Sequence, residues 1–365
     1  MALNIAIVGA GLAGLAAAVA VTSAGAQADV FDCQAALAAP PVHLDVVPAL
    51  FRDLVLLGLG EPCVRQGFPY YGTAVVDAEG RPRFEMPTPQ LAGTRWPAAV
   101  GMGYATLLRV LHDAAVAQGA RVHWRSTITA VDAAARHCRL VTQEGSTWQC
   151  DFALLAGARG VDGIALPLAT PAAPLTQRWD HVLLPRPQGL DRSTWIVGPG
   201  RHKALVVPTG PAEAGIAVLR EAQAERTPEA LRAHLSAQGP WLAAAAAHIR
   251  NEAPVVARPV HSGLLAGDWY QGTVLRIGSS AHLLPPHFGQ AAAQAVEDAT
   301  VLQQLLCLGL APDALFEQFM QRRAARAARV HAVCTQAARW DLHPEPSTDL
   351  AALARELAPI VEQRA

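Results

Sequence analysis

Three glycines near the N-terminus carry the clearest chemistry in this chain. Residues 5–14 read Ile-Ala-Ile-Val-Gly-Ala-Gly-Leu-Ala-Gly. That order spells a buried strand, a tight turn and the start of a helix. Gly9 permits the turn, Gly11 lets backbone approach a pyrophosphate, and Gly14 lets the helix pack against the sheet. The amides at the helix start, at Leu12 and Ala13, would meet the phosphates with a partial positive charge. A helix over 15–24, a stop at Gly25 and a strand over 28–31 follow. Asp32 then stands where an acid can bind an adenosine ribose hydroxyl, about 20 residues after the turn. The plainer reading is an ordinary glycine-rich turn. Strand, helix, second strand and acid in register favour a dinucleotide-binding βαβ unit.

Later positions add candidates for a substrate pocket. A β-rich segment over 178–221 carries Trp179, His181, Trp195 and His202, and Tyr70 and Tyr71 lie on an earlier strand. Core packing is the plainer role for each Trp, and a satisfied structural role for His181. Arg322, Arg323, Arg326 and Arg329 recur at helical spacing, which suggests a solvated or interface face rather than a cofactor role. Paired carboxylates with hydrolase spacing, a Gly-x-Ser-x-Gly elbow and a P-loop do not occur. The cysteines at 33, 63, 138, 150, 307 and 334 form no Cys-x-x-Cys pair and no cluster with histidine, so no metal site or disulfide framework is expected.

The composition suits a compact enzyme. Of 365 residues, 52% are hydrophobic and only 16% charged, which argues against a disordered chain. A net charge of −1 leaves no electrostatic footprint for nucleic acid or an anionic membrane. The N-terminal apolar run lacks a basic flank and is used by the nucleotide fold, so a cytoplasmic protein with reduced thiols is expected.

The elements that must position these residues follow from periodicity and punctuation. Helices are expected over 48–57, 104–118, 228–237, 291–308 and 312–340, with a surface helix in the tail after Pro344. A hairpin is expected from 68–76 and 81–86. Strands are expected over 120–124, 127–132, 137–142, 147–155 and 274–277. The last precedes Gly278-Ser-Ser-Ala-His282 and a tight loop over Pro285–Gly289. The nucleotide fold is therefore interrupted twice. Its portions are 1–66, 98–165 and 270–340, a substrate domain takes 67–97 and 166–269, and 341–365 is a tail helix.

Residues 278–299 read Gly-Ser-Ser-Ala-His-Leu-Leu-Pro-Pro-His-Phe-Gly-Gln-Ala-Ala-Ala-Gln-Ala-Val-Glu-Asp-Ala. With the N-terminal fingerprint, this resembles the single-component flavoprotein aromatic hydroxylases of the para-hydroxybenzoate and salicylate hydroxylase type. The match runs over roughly residues 3–340. It implies an α/β fold: a Rossmann-like FAD-binding domain of the para-hydroxybenzoate hydroxylase type, an inserted β-sheet substrate domain and C-terminal helices. It implies FAD, with NADH or NADPH as a transient reductant. Oxygen from O2 would pass through a flavin C4a-hydroperoxide to an electron-rich ring of a small aromatic or polycyclic substrate. Gly278, Ser279, Gly289, Gln290 and Ala291 would line the flavin. His282 would support the loop. Pro286 and His287 would meet substrate, with His287 the best candidate for a polar pocket residue.

The chain departs from the family pattern at several of these positions. Ser279 replaces an Asp that bonds a ribityl hydroxyl. Arg159-Gly160 stands where the family has Asp-Gly. Tyr104 takes the place of an Arg that touches the cofactor, Ala291 replaces the second Gly of the Gly-Gln-Gly loop, and Asp32 replaces Glu. These changes predict looser FAD binding. They also leave open a second reading, a relative with weakened or lost flavin acting as a non-redox cyclase, isomerase or ligand-binding protein. The Trp-x-Trp-x-Ile-Pro signature of flavin halogenases does not occur.

Overall fold

A computed structural model describes residues 3–133, 137–157, 174–198, 203–345 and 348–365. The first third of the chain forms β1 (Asn4–Val8), α1 (Leu12–Ser23), β2 (Gln27–Phe31), β3 (His43–Val46), α2 (Pro48–Leu56), α3 (Gly60–Gln66), β4 (Phe68–Tyr70), β5 (Thr73–Val76), β6 (Pro82–Met86), β7 (Ala99–Gly103) and α4 (Tyr104–Ala117). The middle forms β8 (Arg121–His123), β9 (Ile128–Ala133), β10 (Cys138–Thr142), β11 (Thr147–Cys150), β12 (Phe152–Leu155), β13 (Pro174–Pro185), β14 (Thr194–Val197), β15 (Lys203–Pro208) and β16 (Glu213–Glu221). The remainder forms α5 (Pro228–Ser236), α6 (Pro240–Ala246), β17 (Val256–His261), β18 (Gly263–Leu264), β19 (Tyr270–Gln271), β20 (Val274–Arg276), β21 (His282–Leu283), α7 (Gln290–Cys307), α8 (Pro312–Leu342) and α9 (Leu350–Val361).

Six strands build the central sheet, in the order β19-β20-β12-β1-β2-β8, with the largely apolar β20, β12, β1 and β2 at its centre. The pairings from β20 to β8 are parallel, and β19 closes one edge antiparallel. Strands buried on both faces need covers on both sides. α1 is one cover and is itself buried almost throughout, from Leu12 to Val21. Its Ala-rich sequence lets it lie close to β1 and α7 in one core with Leu15, Val19, Ala293 and Val296.

The second large sheet has the order β17-β13-β16-β15-β14-β5-β6. Its strands alternate. Val182, Leu184, Ile216 and Val218 bury one face against Leu231, Leu235 and Leu242 of α5 and α6. Trp179, Ala217 and Leu219 point the other way, toward Ala338 of α8. This alternation presents a wall of chosen side chains to the rest of the molecule. The fold is the expected α/β arrangement of parallel sheet, second β-sheet and C-terminal helices.

Two strands are shorter than the sequence predicts. The expected strand over 147–155 breaks at Asp151, whose carboxylate accepts the Asn4 amide at 2.7 Å. Its halves enter different sheets, β11 beside β10 and β12 beside β1. The expected hairpin arm over 68–76 breaks at Gly72, which has φ +73°. There β4 joins the small sheet β3-β7-β4, and β5 joins the large one.

The arginine row on α8, expected as a solvated or interface face, packs mostly against α7. Arg323 is fully buried and bonds Asp298, Glu297 and Gln294 of α7. Arg326 bonds Glu297 at 2.7 Å, and only Arg329 is exposed. The tail helix α9 lies on the surface but buries Leu353, Leu357 and Ile360 against Leu284 and α8.

Candidate active site

The glycine turn is built as its spacing predicts, and each glycine has its own reason. Gly9 has φ +108°, a left-handed value, and its amide donates to Phe31 O at 2.8 Å. A β-carbon on Gly14 would lie 1.8 Å from the Gly9 carbonyl oxygen. Gly11 differs: its φ is an ordinary −80°, and a β-carbon there meets nothing within 4 Å. The protein's own packing does not require glycine at 11, whereas a group lying against that backbone would. The head of α1 has no side-chain cap and no acidic residue in its first turn. Its orphan amides are therefore available to an anion. Asp32 grips the same turn, accepting Ala10 N at 2.7 Å and Gln34 N at 2.8 Å.

A second glycine-bearing turn meets the first. Gly278 has φ +57°, and a β-carbon there would stand 2.5 Å from Ala13 Cβ. Its amide donates to Asp298 Oδ2 at 2.8 Å, and His282 Nε2 lies 2.8 Å from the same oxygen. Burial pushes the Asp298 carboxyl up, but His282, Arg323 and the Gly278 amide outweigh that and hold it at about 2. Gly278 and Ser280 are buried while Ser279 between them is exposed. Ser279 Oγ lies 3.8 Å from where a Gly157 β-carbon would be, so the two turns share one hollow. Arg159 and Gly160 lie outside the described residues, as does His202.

The loop before α7 is held in unusual backbone. Phe288 has φ 57° and Gly289 φ 68°, and Phe288 is one of two described non-glycine residues with positive φ. Such strain persists only where the surroundings enforce it. Phe288 packs among Leu284, Val330 and Leu353, and Gln290 Nε2 donates to the Phe288 carbonyl at 3.1 Å. Pro286 and Ala291 are exposed, although His287, Gln290 and most of α7 are buried. Ser279, Pro286 and Ala291 are thus bare positions on otherwise buried segments. Tyr104 begins α4 half-buried, and burial pushes its phenol up.

The wall of the large sheet brings Trp179, Trp195 and His287 together. The Trp179 ring meets Trp195 edge-on at 6.0 Å and His287 at 6.4 Å. His181, two residues along the same face, lies 5.2 Å from His43 of β3. Burial, reinforced by His181, pushes His43 well below the usual imidazole range. Burial and then Arg258 push His181 down to about 4. Both rings are therefore neutral at pH 7. Tyr70 is engaged elsewhere, donating to Asp45, which also accepts Ser193 Oγ at 2.8 Å. Tyr71 is exposed on the surface. Four buried ring atoms on this wall lack a hydrogen-bond partner: Trp179 Nε1 and the Nδ1 atoms of His43, His181 and His287. An open groove of about 510 Å3 at the outer sheet edge, by Phe84, Arg192 and Trp241, touches none of these residues.

His287 also has a partner that sequence reasoning missed. Its Nε2 lies 2.8 Å from Asp341 Oδ2, and Asp341 pairs with Lys203. Burial raises the Asp341 carboxyl, but His287 and Lys203 outweigh it and hold it low. An ionised Asp341 can only accept, so Nε2 carries the proton and the free lone pair sits on Nδ1. His43 and Arg258 were missed too. Among the described residues, no group of three His, Cys, Asp or Glu side chains is arranged to hold a metal ion, and no helix is long and apolar enough to cross a membrane.

Comparisons with known proteins bear on this geometry. A family model described as FAD binding domain matches residues 2–333. The putative FAD-dependent monooxygenase YetM of Bacillus subtilis is 24% identical over 360 residues, 94% of this chain and 95% of that one. The 2-heptyl-3-hydroxy-4(1H)-quinolone synthase of Pseudomonas aeruginosa is 27% identical over 344 residues, 89% of this chain and 86% of the other. Among solved structures, 2-methyl-3-hydroxypyridine-5-carboxylic acid oxygenase in its tetrameric form superposes with TM-score 0.82 at 19% identity, covering 99% and 96% of the two chains. Klebsiella pneumoniae HpxO complexed with FAD and uric acid superposes with TM-score 0.81 at 20% identity, covering 99% and 93%. The open space over Gly11 and the exposed Ser279 and Ala291 fit such a cofactor, and these matches do not favour a flavin-free cyclase, isomerase or binding role. The chain belongs to the FAD binding domain family and, with it, to the FAD-dependent aromatic hydroxylases, which are flavin-dependent monooxygenases.

Proposed function

We propose that the protein uses NADH or NADPH and O2 to hydroxylate a small aromatic or polycyclic compound held against Trp179 and Trp195. In the balanced reaction, substrate C–H, O2, NAD(P)H and a proton give substrate C–OH, water and NAD(P)+. Gly9, Gly11, Leu12, Ala13, Gly14, Asp32 and Tyr104 would hold the adenosine and diphosphate half of FAD. Gly278, Ser279, Gly289, Gln290 and Ala291 would hold the flavin half, with Arg159 a further candidate. Residues 1–66, 98–165 and 270–340 would form this cofactor unit, and 67–97 with 166–269 the substrate unit. When bound there, FAD would supply hydride acceptance and O2 activation.

The protein's own residues supply position, dryness and a proton acceptor. Trp179 and Trp195 offer a flat aromatic substrate edge and face contacts and exclude water. His287 would receive a phenolic proton at Nδ1, because Asp341 occupies Nε2 and stabilises the imidazolium that results. Removing that proton makes the ring more electron-rich where oxygen must attack. Pro286 would set the rim of the pocket beside His287. His181 borders the same wall, and Tyr70 would shape it through Asp45. The names of the relatives speak of a quinolone, a hydroxypyridine carboxylic acid and uric acid. All are planar heterocycles, in keeping with this wall.

The observation that carries the reading is the meeting of Trp179, Trp195 and the Asp341-held His287 beside the exposed head of α7. The test is NADH and NADPH oxidation by FAD-loaded protein across phenols, aryl acids and polycyclic phenols. At least one class should stimulate oxidation. A loaded protein that neither nucleotide reduces, with any of these compounds present, would contradict the proposal.

A further inference from the structure

We infer that the tail, residues 350–365, positions FAD from a distance, by holding two turns of the cofactor site in their strained backbone. Gly278, Phe288 and Gly289 have φ of 57°, 57° and 68°. Such backbone persists only where neighbours enforce it. α7 supplies the nearest hold. Its Asp298 accepts the Gly278 amide at 2.8 Å, and its Gln290 donates to the Phe288 carbonyl at 3.1 Å. Arg323 of α8 reaches both holds. Its Nε donates to Asp298 Oδ1 at 2.7 Å and its Nη2 to Gln294 Oε1 at 2.8 Å, and Gln294 Nε2 donates to Gln290 Oε1 at 3.4 Å.

The same network runs on to the tail. Glu297 accepts from Arg323, from Arg326 Nη2 at 2.7 Å and from Arg52 Nη2 at 3.4 Å. Arg52 and Arg326 also hold the end of α9. Arg52 Nη1 donates to the carbonyls of Val361, Glu362 and Gln363 at 2.9, 3.2 and 3.2 Å. Arg326 Nη2 donates to the Gln363 carbonyl at 2.7 Å. The last carbonyls of a helix lack partners within it, and a cation suits the negative end of its dipole. Without these carbonyls the buried Arg52 would keep only Asp53 and the longer bond to Glu297. Packing gives a second link. Leu353, Leu357 and Ile360 of α9 share an apolar cluster with Leu284, and Phe288 packs against that cluster. The tail therefore bears on Gly278 through hydrogen bonds and on Phe288 through packing. The plainer role is stability alone, and the inference rests on reading these two turns as the seat of the flavin.

Hydrogen–deuterium exchange and flavin titration separate the two roles. In the unmodified protein, FAD should slow exchange in 279–290 and also in 352–363, because binding that tightens the turns tightens what holds them. Leu357→Ser and Arg326→Gln, made in the full chain, should weaken FAD at least tenfold by fluorescence quenching at a temperature well below unfolding. Both should quicken exchange over 284–290 about tenfold without FAD. Leu357→Met should restore both readings. At saturating FAD, the visible spectrum of the flavin in Leu357→Ser should move toward that of free FAD. Tail exchange that ignores FAD in the unmodified protein would overturn the inference. So would variants that lower Tm while FAD affinity and exchange over 284–290 stay as in the parent. Failure of the unmodified protein to take up FAD would overturn the family's cofactor, and exchange over 284–290 in the variants would still show whether the tail holds the loop.

Discussion

His287 Nε2 lies 2.8 Å from Asp341 Oδ2, and this contact joins the loop before α7 to the end of α8. It fixes which ring nitrogen can accept a proton. Asp341→Asn should therefore lower turnover of a phenolic substrate by about tenfold to a hundredfold while leaving FAD affinity unchanged. His287→Gln should do the same. Stopped-flow measurement should locate the loss after flavin reduction. Protonation of Asp341 at low pH breaks the dyad, so the part of the acid limb that it sets should be absent in Asp341→Asn. An unchanged limb with full turnover would remove His287 from the chemistry.

Gly11 and Gly14 should separate cofactor binding from folding. Gly11→Val should abolish FAD binding with Tm roughly unchanged, because its β-carbon meets no protein atom. Gly14→Ala should destabilise the fold by several kcal/mol, because it drives a methyl into the Gly9 carbonyl. Differential scanning fluorimetry with and without FAD reads both.

Ser279→Asp should tighten FAD by about tenfold, the gain of a charge-assisted over a neutral hydrogen bond, roughly 1.4 kcal/mol. Ser279 is exposed beside Gly157, so the longer side chain has room. The companion Arg159→Asp change should be titrated with it. Unchanged or weaker binding would mean that the site is built around serine.

The neutral histidines predict acid sensitivity. His181 titrates at about 4 in the folded chain and near 6.5 when unfolded. Above 6.5 both forms are neutral and nothing is gained or lost. Below 6.5 the unfolded chain takes up a proton that the folded chain refuses, so stability falls until the pH reaches about 4. Urea unfolding should show about 1–2 kcal/mol less stability at pH 5 than at pH 7 from this residue. His43 adds to the loss in the same direction. His181→Gln should remove part of that slope, and an unaltered slope would show that the ring is not held neutral.

The nucleotide half was legible because its constraints are local. Gly9, Gly14 and Asp32 act within one turn and its adjoining strand, so their spacing alone encodes the geometry. The strand splits at Gly72 and Asp151 were not legible, since each half is chosen by a different distant sheet. The α8 arginines could be read only as a solvated or interface face, because Arg323 finds Asp298 and Glu297 on another helix, and spacing within one helix cannot reveal such partners. His43 followed a Pro-rich stretch with no visible strand pattern, and Asp341 lay 54 residues from His287. The alternation of Trp179 and His181 could be read, but what faced them could not.

Labelling with 18O2 tests the central claim most directly. FAD-loaded protein, NADH or NADPH and a stimulating aromatic substrate are incubated under 18O2, and the product is weighed by mass spectrometry. The account predicts a product heavier by one labelled oxygen atom, with one nucleotide oxidised per product formed. Nucleotide oxidation that yields only hydrogen peroxide, or a product whose new oxygen comes from water, would contradict it.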